Sequence, residues 1–124
     1  MQPANVLDHL PLVLRGIEKI NSKASEHCEP REVIEACLNR QAFLFVGQDA
    51  FCVLEPLPGC LNVWLTYAEK RGAVAQYLDF ILEKAEQIGA TKIQGKLTRK
   101  GWMRRLKGWR VTGENTIEVN HGWQ

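Results

Sequence analysis

Apolar residues recur at helical spacing between Asp8 and Ala24, at Leu10, Leu14, Ile17 and Ile20. That period predicts an amphipathic helix. Asp8 stands where an N-cap belongs, and Pro11 fits a first turn. A second, shorter helix is predicted from Pro30 to Arg40, with Val33, Ile34, Cys37 and Leu38 on one face. Three strand-like runs follow: AFLFVG (42–47), AFCVLE (50–55) and LNVWLTY (61–67). Gly47-Gln48-Asp49 is a short turn that predicts a hairpin, and PLPG (56–59) marks the next turn. Trp64 falls in mid-strand and is expected in the core.

The clearest helical pattern runs from Ala73 to Ile88. Val74, Leu78, Ile81, Leu82 and Ala85 form its apolar stripe, and Gly89 is placed as its C-terminal cap. TKIQGKL (91–97) reads as a strand and RKGWMRRLK (99–107) as a short helix. WRVTG (109–113) and TIEVNH (116–121) read as a hairpin turned by Gly113-Glu114-Asn115. The predicted order is α-α-β-β-β-α-β-α-β-β. A strand, helix and strand in the middle imply one parallel crossover. The class is therefore α+β, with a mixed, mostly antiparallel sheet.

A length of 124 residues suits a single domain, residues 1–124. No apolar run approaches the roughly 20 residues of a membrane span. The opening MQPANVLDHL carries Asp8 and no basic cluster, so no secretory signal is expected. These features predict a cytoplasmic protein with no membrane partner. The cysteines, Cys28, Cys37, Cys52 and Cys60, form no Cys-x-x-Cys pair, and His9, His27 and His121 are scattered. That spacing argues against zinc, so no metal is expected. Cys37, Cys52 and Cys60 lie in or beside apolar segments and read as reduced, buried thiols.

Net charge is +2, but it is unevenly placed. Eight basic residues and no acid lie between Lys92 and Arg110, leaving eight basic and fourteen acidic residues elsewhere. Such a patch, with Trp102 and Trp109 in it, suggests nucleic-acid binding through 92–110. The near-neutral total and the absence of a nucleic-acid motif argue against that reading. On a helix, Trp102 and Leu106 share a face at i and i+4, which makes the aromatics core rather than stacking platforms.

The segment VWLTYAEKRGAVAQYLDFILEKAEQIGATKIQGKLTRKGWMRRLKGWRV, with the element order around it, resembles the GNAT superfamily of N-acetyltransferases. The likeness covers nearly the whole chain. Arg99-Lys100-Gly101-Trp102 and Gly108-Trp109 also resemble runs in small GNAT-like proteins of bacteriophages and prophages. The resemblance implies a central strand, a loop, a long helix and a second strand that splays away to open an acyl-CoA cleft. It implies a cofactor, acetyl-CoA, and an amine acceptor. The matching cofactor positions are Leu65 and Thr66 on the strand, Lys70, Arg71, Gly72 and Ala73 in the loop, and Arg99, Lys100 and Arg104 beyond it. An anion at such a loop would be met by backbone N–H groups at a helix N-terminus.

Two features, the loop and a tyrosine, depart from the family pattern. Its loop reads Gln or Arg, two residues, Gly, one residue, then Gly or Ala; counted from Gly72, those ends are Glu69 and Val74. The family's tyrosine on the helix after the splayed strand is also missing, and Arg104 takes its place. Amine acetylation needs a base for the amine and an acid for the thiolate. Glu69 and Tyr67 are the candidates, with Glu55 a further conceivable base. The plainer readings are solvated strand ends for the two glutamates and a packed aromatic for Tyr67. The resemblance also implies that the first two helices line the acceptor side of the cleft, where acids such as Glu26, Glu29, Glu32 and Glu35 would attract a cationic amine; the plainer reading of these acids is a solvated surface.

Three functions are thus open. The first is an acetyl-CoA-dependent N-acetyltransferase, of the kind found in phages and prophages. The second is a catalytically degenerate GNAT-like interaction protein, working as a homodimer or with a phage or host protein in the host cytoplasm or virion. The third is nucleic-acid binding, which ranks behind both.

Overall fold

The computed structural model describes residues 1–23, 27–70, 74–95, 109–113 and 116–119. Within them the chain builds β1 (Gln2–Ala4), a 3-10 turn (Val6–His9), α1 (Leu10–Lys23), α2 (Pro30–Leu38), β2 (Phe43–Gly47), β3 (Ala50–Leu57) and β4 (Cys60–Ala68). Then come α3 (Val74–Gln87), β5 (Lys92–Gly95), β6 (Trp109–Gly113) and β7 (Thr116–Val119). The class is α+β: one seven-stranded mixed sheet, ordered β1-β2-β3-β4-β5-β7-β6, with three α-helices among the described residues. The helix expected over 99–107 lies outside those residues, as do Glu26, His121 and Gly108.

The two hairpins have a local cause. Gly47 pairs with Ala50 across Gln48-Asp49, and Asp49 takes a left-handed conformation (φ 58°) that an Asp tolerates. The second turn is tighter than expected. Pro56 and Leu57 stay in the ladder opposite Leu61 and Cys60, so only Pro58 and Gly59 turn the chain. Pro56 fits because β2 ends beside Leu54, leaving its missing N–H on an open edge. Ala90 N–H donates to the Ala85 carbonyl after Gly89, whose φ of +72° ends α3. Thr91 N–H donates to the Gly59 carbonyl at 3.1 Å, which starts β5 beside β4. The β4–β5 pair is parallel, as the central crossover predicts.

Several expectations need correction. Asn5, not Asp8, caps the first turn, accepting the Leu7 N–H at 2.9 Å. β1 was not anticipated: three residues carry too little pattern, and they form a strand only by pairing with Leu44–Val46. The buried stripe of α1 is Val13, Gly16 and Ile17, with Ile20 half-buried; Leu14 is 43% exposed. Leu38 likewise turns outward, 51% exposed, and Trp64 is half-buried rather than enclosed. On α3 the fully buried Tyr77 joins Leu78, Ile81 and Ala85.

Each face of the sheet has its own core. α3 covers one, with Phe45, Cys52, Leu54, Leu61, Val63, Ile93, Trp109 and Ile117 beneath it. α1 and α2 cover the other, over Leu44, Phe51, Val53 and Leu65. Asn21 closes the connection between these helices by accepting the Cys28 N–H and donating to the Cys28 carbonyl, both at 2.8 Å.

Candidate functional site

The part of the fold that a ligand could use is set by a change of register in β4. Val53 lies opposite Leu65, but Leu54 lies opposite Val63, so Trp64 is an extra residue on β4. Such a bulge bends and twists its strand. It also exchanges faces. Leu61 and Val63 point into the core under α3, whereas Leu65 and Tyr67 pack with the core under α1 and α2. Alternation then puts Thr66 on the α3 face, where Ala68 packs.

The neighbouring strand, β5, is described as far as Gly95, at the same level. The parallel ladder runs from Cys60 opposite Lys92 to Val63 opposite Gly95. Gly95 has φ +137° and lies against the Val63 carbonyl, with no room for a side chain. Beyond it, β4 continues from Trp64 to Ala68. On its β3 side those residues are paired, Thr66 with Cys52 and Tyr67 with Phe51. On the β5 side they have no strand partner among the described residues. α3 begins at Val74, six residues after β4 ends. A strand edge with free peptide groups can pair an extended ligand chain, as an added strand would.

The predicted site residues fall at this end. Leu65 is buried, so it can offer a ligand only its backbone; Thr66 and Tyr67 are half-buried on opposite faces. Glu69 and Lys70 follow directly and are exposed. Arg71, Gly72, Ala73, Arg99, Lys100 and Arg104 lie outside the described residues. Each described charge already has a partner. Glu69 Oε1 accepts from Arg15 Nη2 at 2.8 Å and from Arg15 Nε at 3.0 Å. Lys70 Nζ lies 3.3 Å from Asp49 Oδ2, and Glu69 N–H donates to the Asp49 carbonyl at 2.7 Å. The Tyr67 ring packs against Phe51, with centroids 5.6 Å apart.

Glu55 sits elsewhere. It accepts from Asn62 Nδ2 at 2.7 Å near the start of β4, roughly 20 Å along the strand from Glu69. Two of the N-terminal acids are also engaged: Glu35 with Arg31 at 2.9 Å, and Glu29 near His27 at 3.4 Å. The cysteines are free thiols. Burial pushes Cys52 up to about 12 and raises Cys37 as well. Burial raises Cys60 too, against the opposing pull of Lys92 and the Gln94 N–H. None of these three is a ready thiolate. Among the described residues no three His, Cys, Asp or Glu side chains converge on a metal position, and no helix is long and apolar enough to cross a membrane.

Three features of this end were not read from the sequence. Arg15 is 54 residues from Glu69, and no local pattern joins them. The bulge at Trp64 leaves no compositional mark. Gly95 did carry a signal, since an isolated glycine inside a strand often marks close backbone approach. No family model matches the chain, and no curated protein matches it in sequence.

Proposed function

We propose that this protein is an acyl-CoA-binding domain of the GNAT type. One observation carries the reading: β4, the long helix α3 and a β5 parallel to β4 follow one another, with a bulge at Trp64 bending β4 next to the start of α3. The order β4, α3, parallel β5 is the acyl-CoA unit implied by the family resemblance. The pantetheine arm, with its two amides, would hydrogen-bond to the peptide groups of Leu65 to Tyr67. The pyrophosphate would lie at the segment from Lys70 to Ala73, before the N-terminus of α3, where the helix dipole favours an anion. Arg99, Lys100 and Arg104 would supply further positive charge.

In an active enzyme of this kind the acceptor amine attacks the thioester carbonyl carbon. The carbon–sulfur bond breaks, the amine loses a proton to a base and the departing thiolate takes one from an acid. Glu69 and Tyr67 are this chain's candidates for those roles. Adding CoA or acetyl-CoA tests the binding step, because a ligand selective for the native state raises the melting temperature. A rise that grows with ligand concentration is expected. No rise at millimolar CoA overturns the proposal.

The Arg15–Glu69 pair favours a second reading, in which the site binds CoA or a protein partner without chemistry. The Glu69 carboxylate is engaged by the Arg15 guanidinium, which gives it a structural role in place of a chemical one. Incubation with acetyl-CoA and a panel of primary amines, followed by free-thiol release, separates the two. Thiol release above the hydrolytic background, lost in Tyr67→Phe or Glu69→Gln, supports acetyl transfer. Binding without release supports the non-catalytic reading, and light scattering then reports whether a homodimer or a phage or host protein partner is involved.

A further inference from the structure

The opposite end of the sheet holds a different feature. Where α3 finishes, the strands beneath it continue and leave a slot of about 200 Å³. Its floor comes from Phe43 and Phe45 on β2, Leu54 and Pro56 on β3 and Leu61 on β4, with Lys84 and Ile88 on the helix side. Phe43 pairs with Leu54 and Pro56 with Leu61, so four of these side chains meet in two cross-strand pairs. Two large apolar groups stand in water at its rim, Phe43 at 40% exposure and Ile88 at 48%. A concavity with exposed apolar side chains at its rim can take an apolar group.

Among the lining residues Lys84 alone is charged. Its Nζ lies 5.4 Å from the Phe45 ring centroid and 5.8 Å from that of Phe80, and the two ring centroids are 4.8 Å apart with the planes tilted by 50°. The two aromatic faces hold the ammonium of Lys84, a half-buried residue that lines the slot. No carboxylate forms an ion pair with it among the described residues. The slot therefore offers an apolar floor, a hydrophobic rim and one positive charge with no ion-pair partner among the described residues.

We propose that this slot binds a small amphiphilic carboxylate, with the acid group on Lys84 and an alkyl or aryl body against Phe43, Leu54, Pro56 and Ile88. The size agrees: an apolar cavity of about 150 Å³ holds a benzene ring, so this one accommodates a ring or short chain with a carboxylate attached. The charge sets the class, because a carboxylate would pair with the Lys84 ammonium and an uncharged ligand of the same shape would not. The site lies at the far end of α3 from the proposed CoA edge, so its test is independent of that reading.

The test is a titration of the isotope-labelled full chain with octanoate and, separately, octanol, followed by NMR. Octanoate is expected to move the Ile88 methyl and Phe43 ring signals saturably in the low-millimolar range, and octanol more weakly. Lys84→Met keeps the aliphatic stem and should weaken octanoate about threefold while leaving octanol unchanged. The same spectrum confirms that the variant is folded. Equal binding of the two ligands, an unaltered octanoate affinity in Lys84→Met, or shifts confined to other residues overturns the proposal. So does movement of these signals on diluting the protein alone, which would show that a second copy of the chain covers the slot.

Discussion

Arg15 on α1 holds the carboxylate of Glu69, the first residue after β4, through two N–H groups at 2.8 and 3.0 Å. The contact fastens the helical layer to the end of the strand that borders the proposed CoA edge. It decides whether Glu69 is a base in waiting or a latch.

That contact sets the first prediction. Both side chains are partly exposed, 57% for Arg15 and 28% for Glu69. A double-mutant cycle with Arg15→Ala and Glu69→Ala should therefore give a coupling of only about 0.2–1 kcal/mol, shrinking at high salt. If Glu69 is a base for acetyl transfer, Glu69→Gln should also abolish thiol release from acetyl-CoA in the presence of an amine. Urea denaturation measures the coupling, and a thiol-release assay measures the transfer.

Gly16 gives a prediction whose sign separates two effects. Replacing a helical glycine by alanine ordinarily stabilises a protein by up to about 1 kcal/mol. Here a Cβ would collide with the Phe51 ring and stand 2.9 Å from Tyr67 Cγ. Overpacking of that kind costs about 1–3 kcal/mol. Gly16→Ala should therefore lower stability, and Phe51→Leu in the same chain should recover part of the loss. Stabilisation by Gly16→Ala would mean that α1 does not pack this close to β3 and β4.

At Gly95 the backbone is in a conformation that side chains avoid, and its neighbour is the Val63 carbonyl. At Gly89 the φ is also positive, but nothing lies within 4 Å of the place a methyl group would take. Gly89→Ala should cost about 1 kcal/mol, from the left-handed conformation alone. Gly95→Ala should cost more, because strain and a backbone clash add, and it should disturb the β4–β5 ladder at Val63 first. Denaturation midpoints rank the two, and amide exchange at Val63 and Gln94 locates the damage.

Cys52 makes stability depend on alkaline pH. Burial lifts its thiol from 9.0 to about 12 in the folded protein. Above pH 9 the unfolded chain releases this proton while the folded one keeps it. The unfolded state then binds fewer protons, so stability falls as pH rises from 9 toward 12, by up to about 1.4 kcal/mol per pH unit. Cys52→Val should remove that component of the slope, read as the difference between the two proteins' unfolding free energies at pH 8 and pH 10.5.

What sequence alone determined was local. Periods of two and of 3.6 residues located the strands at 42–47, 50–55 and 61–67 and the helices at 30–40 and 73–88 to within a few residues, because those patterns arise within one element. Gly47-Gln48-Asp49 and Gly89 were legible for the same reason, since a turn or a cap is decided by a few neighbours. The α+β class and the single parallel pair followed from the order of those elements. Tertiary structure decided the rest. Strand β1 exists only because Leu44–Val46 offers it an edge. The stripe of α1 rests on Gly16, which has no hydrophobic side chain to announce it but allows contact with Phe51. Trp64 reverses which face the second half of β4 presents, and the alternating LNVWLTY gives no hint of it. The Arg15–Glu69 pair joins residues 54 apart. In each case the deciding partner is remote along the chain, and no short-range pattern records a contact that exists only once the layers have packed.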